Sequence, residues 1–131
     1  MLVTSLIEKI FPNAVYVRVR RNEFRIRHVE SGVDTTFQAV APFSTVRMLI
    51  GEFTAAEQAF KAALKNAEKD HLFRPAPQIL MHPLEMIEGG LSQIEERTFL
   101  EVALGAGASK AMVWLGPELS DDEVKRKLGG K

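Results

Sequence analysis

The feature that most constrains the fold is a period-two alternation of apolar and polar residues between positions 14 and 30. Three valines alternate with polar side chains in its first half, and Phe24 and Ile26 alternate with arginines in its second half. Such alternation is typical of a strand with one buried face, so two runs in succession predict a β-hairpin. With Arg21 and Asn22 in the turn, the pairs across the hairpin are Val19 with Phe24, Val17 with Ile26, and Arg18 with Arg25.

A third strand is predicted from Thr35 to Val40, after a turn at residues 31–32. Three later stretches match the capping box, in which a hydroxyl accepts from the third helical amide and a carboxylate reaches back. Each therefore predicts a helix start: Thr54–Glu57, Ser92–Glu95 and Ser120–Glu123. We expect the first helix to end near His71, and the second to turn these residues inward: Ile94, Thr98, Phe99, Val102, Ala103 and Ala106.

Two apolar runs between the predicted helices, PQILMHP and SKAMVWLG, have the length expected of buried strands. Trp114 and Met112 in the second run are expected in the core. The element order is then three antiparallel strands followed by alternating helices and parallel strands. This order predicts one α/β domain with a mixed sheet over residues 1–131.

Composition favours a cytoplasmic protein without a strong overall electrostatic field. The chain has 131 residues with 17 basic and 17 acidic side chains, and it contains no cysteine. We predict no disulfide, no thiolate metal site, no signal peptide and no membrane span. The first eleven residues suit a short surface helix that docks through Leu2, Leu6 and Ile10.

A Gly-Ala-Gly-Ala-Ser-Lys run at residues 105–110 suggests a phosphate loop, but its position argues against one. Phosphate loops follow a strand and open a helix, where backbone amides and the positive helix end face the anion. This run closes a helix and precedes a strand, so we interpret it as a C-terminal helix cap. A second glycine pair, Gly89–Gly90, shares its loop with Glu85 and Glu88, whose charges repel phosphate.

The stretch from IGEFTAAEQAFKAAL through RPAPQILMHP to LSQIEERTFLEVALGAGASKAMVW resembles the first domain of the MreB family of bacterial actin homologues. The resemblance covers about the last two thirds of the chain and is most specific between Ser92 and Trp114. It implies an actin-like, ribonuclease-H-like fold and a role related to rod shape determination in bacteria. It also implies a position for a nucleotide site.

The chain departs from that family at the residues that would bind nucleotide. The family carries an Asp-x-Gly-Thr phosphate motif at the first hairpin; here Arg18 lies near the Asp position and Arg20–Arg21 near Gly-Thr. The family's water-positioning acid corresponds to Gln93, and the chain ends where the family continues into its second phosphate motif. We therefore predict a degenerate nucleotide site at Arg18 and Gln93, with no catalytic residue, ATPase activity, cofactor or small-molecule substrate. Residual binding of magnesium-ATP is the alternative at this site.

The strongest local charge is the basic hairpin, which we define as Arg18, Arg20, Arg21, Arg25 and Arg27. The sequence leaves three interpretations open: a solvated outer face, a site for an acidic protein surface, or a site for nucleic acid or lipid head groups. Acidic residues cluster around the second helix and at the start of the third helix. These acidic residues either suit the helix N-termini or meet the basic hairpin of another copy.

No histidine spacing indicates a metal site, because His28, His71 and His82 lie far apart in the sequence. The last predicted strand offers a candidate interface at Met112, Val113 and Leu115, if these side chains are exposed. The leading hypothesis is a non-catalytic protein-interaction domain that binds a protein partner or a second copy. The alternative is a small nucleic-acid-binding module that uses the basic hairpin.

Overall fold

A computed structural model describes residues 13–69 and 75–129 of the chain. In these residues it forms a five-stranded mixed sheet and three helices. The strands are β1 (Ala14–Arg20), β2 (Glu23–His28), β3 (Val33–Gln38), β4 (Gln78–Pro83) and β5 (Lys110–Val113). The helices are α1 (Phe53–Ala67), α2 (Gln93–Gly105) and α3 (Asp121–Leu128). The predicted α/β class and the mixed sheet are confirmed.

The order of strands across the sheet is β3-β2-β1-β4-β5. Strands β1, β2 and β3 pair antiparallel, whereas β4 and β5 continue the sheet in parallel with β1. Strand β1 is therefore central, and strands β3 and β5 lie at the two edges of this sheet. The neighbouring parallel strands β4 and β5 are linked by α2, as the alternating pattern predicted.

The predicted hairpin register is confirmed for all three pairs. The turn is made without glycine because Asn22 adopts the left-handed conformation, with φ of 56°. Asparagine tolerates this conformation better than most residues, and its side-chain oxygen accepts from the amides of Phe43 and Ser44 at 2.8 Å each. The turn thereby holds the loop that leads to α1.

Strand β3 begins and ends two residues earlier than the predicted Thr35–Val40. It starts directly after the turn that ends at Gly32, which has φ of 71°. The early start pairs Asp34 with Arg27 of β2. This shift brings a carboxylate onto the arginine-bearing face of the sheet.

Helices α2 and α3 begin as predicted, since Ser92 and Ser120 each form a complete capping box. The predicted box at Thr54 is wrong, because α1 already begins at Phe53 and its N-cap, Glu52, makes no side-chain capping bond. Helix α1 ends at Ala67 and not near His71, which lies outside the described residues. The predicted docking helix with Leu2, Leu6 and Ile10 also lies outside them.

The two faces of the sheet are covered differently. Helices α1 and α2 cover one face, where the hairpin valines pack against three stacked or edge-on rings: Phe24, Phe43 and Phe60. Helix α3 covers part of the other face through a smaller apolar cluster that includes Tyr16, Leu80, Val124 and Leu128. Met112 and Trp114 pack against this second cluster but are only partly buried, so the expectation that they lie in the core is met only in part. The remainder of this face carries the arginines.

Candidate functional site

Asp34 pairs with three of the five arginines of the basic hairpin. One carboxylate oxygen accepts from Nη2 of Arg18 at 2.7 Å, and the other lies 3.3 Å from both Nη2 of Arg25 and Nη1 of Arg27. The pairing of β2 with β3 places Asp34 beside Arg27, and the neighbouring row of the sheet holds Arg25 and Arg18. Three guanidinium groups thus share one acid, which sequence analysis did not identify as their partner.

A second acid reaches the hairpin from α3. Arg27 donates to both carboxylate oxygens of Asp121, from Nε at 2.8 Å and from Nη2 at 3.0 Å. Such two-pronged pairs are strong because both hydrogen bonds are charge-assisted. The hydrogen bonds from Arg27 lower the pKa of Asp121, and the same contact raises the pKa of Arg27. The acidic start of α3 therefore pairs with the basic hairpin inside one molecule.

A cleft of about 350 Å³ lies between the hairpin and the start of α3. Two arginines and three acids line it, so its charges nearly balance. The lining residues are Tyr16, Arg18, Arg27, Asp34, Glu118, Leu119, Ser120 and Asp121. Arg18 lies over the ring of Tyr16, 5.1 Å from its centroid, and its side chain is 10% exposed. The buried arginine is held on two sides and does not project into solvent.

Below this cleft, Tyr16 and His82 form a buried hydrogen-bond chain. The Tyr16 hydroxyl lies 2.7 Å from Nδ1 of His82 and accepts from the amide of Leu119 at 3.2 Å. Nε2 of His82 lies 2.9 Å from the carbonyl oxygen of Gly116. These partners fit a neutral imidazole that donates from Nε2 and accepts at Nδ1. Burial lowers the pKa of His82 and raises the pKa of Tyr16. These hydrogen bonds fasten the loop before α3 to the sheet.

The turn of the hairpin is also closed by the chain's own groups. The amide of Arg21 donates to Oε1 of Glu85 at 2.7 Å, and its guanidinium contacts the sulfur of Met86 at 2.9 Å. Glu85 belongs to the loop that follows β4. A carboxylate therefore holds the backbone donor at the turn, where the family resemblance implies a phosphate.

The structure does not bring the two residues of the predicted degenerate nucleotide site to one face of the sheet. Arg18 projects toward α3, on the face that contains Tyr16 and Asp34. Gln93 is an exposed residue at the first position of α2, which packs against the opposite face through Phe99, Val102 and Ala103. The degenerate nucleotide site stays a prediction, and Gln93 does not line the cleft that contains Arg18.

The predicted interface residues lie at and just beyond the edge strand β5. Met112 and Val113 are half-buried and pack against the two different apolar clusters, one on each face of the sheet. Leu115 is 36% exposed. The three side chains therefore form no continuous exposed patch, and their role as an interface stays a prediction.

A more open apolar surface lies between the starts of α1 and α2. Phe53 is 41% exposed and Ile94 is 74% exposed, and both line a groove of about 430 Å³ with Arg97, Thr98 and Glu101. The prediction that Ile94 faces inward is wrong. The buried residues of α2 are Phe99, Val102 and Ala103, and Ile94 lies about 140° around the helix from Phe99, because each residue turns the helix by about 100°. Sequence analysis missed this groove.

Neither a metal centre nor a membrane span is found in the part of the chain that the structure describes. Within residues 13–69 and 75–129, no three His, Asp or Glu side chains lie close enough together to hold a metal ion. Within the same ranges, no helix combines the length and the apolar composition required to cross a bilayer.

A comparison with family models gives no match for this chain. A comparison with known proteins shows similarity to "Uncharacterized protein YjaA" of Escherichia coli (strain K12). The two sequences are 38% identical over 103 residues, which cover 75% of this chain and 80% of that protein. This identity over most of both chains shows common descent. The chain belongs to the same family as YjaA.

Proposed function

We propose that this protein is a non-catalytic protein-interaction domain, and that it binds its partner through the outer surface of α1 and α2. The observation that carries the proposal is the exposed apolar groove at Phe53 and Ile94. Contiguous exposed apolar residues with polar neighbours are typical of protein-binding surfaces. Arg97 and Glu101 supply those polar neighbours at the rim.

The state of the hairpin supports a role without catalysis. Arg18, at the position where the family resemblance implies a metal-organising acid, is buried in an ion pair with Asp34. Glu85 accepts from the turn amide that would face a phosphate. A nucleotide would have to displace this carboxylate and overcome its negative charge. Both contacts favour a scaffold that has lost phosphate chemistry.

The finer fold assignment and the biological setting are part of the same proposal. Three antiparallel strands followed by α/β units, with β1 beside β4, are in keeping with an actin-like, ribonuclease-H-like domain. On this proposal the protein is a relative of MreB and works in the bacterial cytoplasm, in connection with cell shape. Its partner is then a protein of that setting or a second copy of the chain.

The test compares three forms of the protein as immobilised baits in extract from the native bacterium. We expect the wild type and Arg25→Gln to retain the same partner, and Ile94→Asp to lose it. Arg25 is the matched control because it is a polar residue on the opposite face of the sheet, whereas Ile94 lies in the groove. Retention that depends on Arg25 and not on Ile94 would contradict the proposed surface.

Two further measurements address the alternatives to protein binding. Magnesium-ATP at millimolar concentration should leave the melting temperature unchanged, because a ligand that binds the native state raises it. A labelled oligonucleotide should not bind at low salt, because Asp34 and Asp121 already pair with three of the arginines that would contact phosphates. ATP hydrolysis, or oligonucleotide affinity that falls steeply with salt, would overturn the proposal.

A further inference from the structure

Helix α2 carries a second stripe on the side away from the sheet. Its four members are spaced by three, four and three residues: Ile94, Arg97, Glu101 and Leu104. The two apolar members are 74% and 47% exposed. The side chains of the two charged members are 81% and 52% exposed. This outer stripe is distinct from the buried side of α2, which already packs on the sheet through Phe99, Val102 and Ala103.

The spacing of the outer stripe is that of a seam between two packed helices. Residues at intervals of three and four remain on one side of a helix, where they can pack against a stripe of the same spacing on a partner helix. A helix that only docks on a sheet needs one apolar side. The outer pair, Ile94 and Leu104, gives α2 a second one.

The outer stripe has the order apolar, charged, charged, apolar whether it is followed from its first or its last residue. This symmetry favours a second copy of the chain as the binding partner. Ile94 and Leu104 are centred on residue 99, and Arg97 and Glu101 are centred on the same residue. Two copies of α2 that pack antiparallel across a two-fold axis at this point therefore place apolar against apolar and basic against acidic. A parallel pair would instead place Arg97 against itself. Self-complementarity of this kind is what a two-fold interface requires.

The pairing of Arg97 with Glu101 within the helix is weak enough to be replaced by pairing across the dimer. Arg97 and Glu101 lie 3.7 Å apart as an exposed pair one helical turn from each other. Exposed pairs of this type contribute only about 0.3–0.5 kcal/mol, so each residue can change partner at little cost. Phe53 of α1 extends the apolar surface beside Ile94 and widens the contact.

We propose that two copies of this chain form an antiparallel, two-fold dimer through the outer stripe of α2. Ile94 packs against Leu104 of the partner subunit, and Arg97 pairs with Glu101 of the partner subunit. The inference rests on the proposed function, because it names a second copy as the partner of the same surface.

The test is sedimentation equilibrium of the full chain and its charge variants, from about 1 μM to about 1 mM, a range that covers weak and moderate association. Wild-type protein should dimerise. Arg97→Glu and Glu101→Arg should each raise the dissociation constant at least about tenfold, because each places like charges opposite one another twice. The double variant Arg97→Glu/Glu101→Arg should restore the dimer. An equimolar mixture of the two single variants should form a heterodimer.

All four residues are exposed, so at protein concentrations below the dimer dissociation constant the circular dichroism and the melting temperature should be the same for every variant. A change in association is then not a change in folding. A wild-type protein that stays monomeric over the whole concentration range overturns the dimer. A dimer that ignores both single charge reversals overturns it as well. If the dimer fails while Ile94→Asp still abolishes retention of another protein, the proposed function stands with a different partner. If neither occurs, both proposals fail.

Discussion

The basic hairpin and the outer stripe of α2 differ in how many of their side chains already have partners within the chain. Asp34 and Asp121 pair with three of the hairpin's five arginines, and a further carboxylate caps its turn. The outer stripe leaves Ile94 and Leu104 in water and its charged pair in a loose contact. The hairpin is the more conspicuous of the two in the sequence, yet three of its five guanidinium groups already have acidic partners within the chain.

The comparison shows that a local excess of charge does not by itself mark a binding surface. Arg18 is nine-tenths buried, and an unpaired buried cation would cost several kcal/mol, so its acid partner is part of the fold. Several exposed apolar side chains on one side of a helix have a different meaning, because contiguous apolar surface in water is typical of a binding site.

The two sides of α2 should respond very differently to the same truncation. Phe99 is 2% exposed, and Phe99→Ala should lower the free energy of unfolding by about 3–5 kcal/mol through lost burial and a cavity. Ile94→Ala should change it by less than about 0.5 kcal/mol. Urea unfolding of both variants, at a protein concentration below the dimer dissociation constant, measures the difference. Equal losses would show that Ile94 is buried within the monomer and that the outer stripe is not exposed.

Removal of the shared acid should destabilise the hairpin. Asp34→Asn takes the counter-charge from the buried Arg18 and should cost about 2–3 kcal/mol, near the low end for buried pairs since the Asp34 side chain is 29% exposed. The control is Asp122→Asn, an exposed acid on α3, with an expected change below about 0.5 kcal/mol. The variant Asp34→Asn should also begin to bind a labelled oligonucleotide at low salt. No loss of stability would mean that the arginines do not depend on Asp34.

Acid should weaken the fold in a window set first by His82. Burial lowers its pKa in the folded state below the ordinary value of about 6.5, so the unfolded chain binds the proton more readily. Stability is then fully present above about pH 6.5 and falls as the pH decreases from there toward the folded pKa. The lowered pKa of Asp121 adds a further loss below about pH 4. Urea midpoints between pH 7.5 and 5.0 should show the first loss in the wild type and a smaller loss in His82→Gln, and identical curves would contradict the neutral, hydrogen-bonded His82.

Much of the fold followed from the sequence because period and capping chemistry are local. The hairpin register was fixed by alternating side chains, and two of the three helix starts by a serine and a glutamate three residues apart. The helix start at Thr54 failed because α1 begins at Phe53, one residue before the predicted cap. The prediction for Ile94 failed because this residue lies about 140° around the helix from Phe99, on the side away from the sheet.

The acidic partners of the basic hairpin were harder to predict from the sequence, because they come from distant segments of the chain. Asp34 meets the arginines only once β3 starts at Val33, and Asp121 arrives from 94 residues further along the chain than Arg27. A correct register for the turn between β2 and β3 would have placed Asp34 beside Arg27. No local pattern in the sequence indicated the contact between Asp121 and Arg27. The symmetric spacing of the outer stripe was present in the sequence, but its exposure was not.

The account's central claim is that association uses the outer stripe and not the basic hairpin. Its most direct measurement is the dimer dissociation constant of two variants determined side by side, Ile94→Asp and Arg25→Gln, at the same salt concentration. The account predicts at least a tenfold increase for Ile94→Asp, since it places a charge in the apolar contact, and a change within about twofold for Arg25→Gln. A dimer that Arg25→Gln disrupts and Ile94→Asp leaves intact would contradict it.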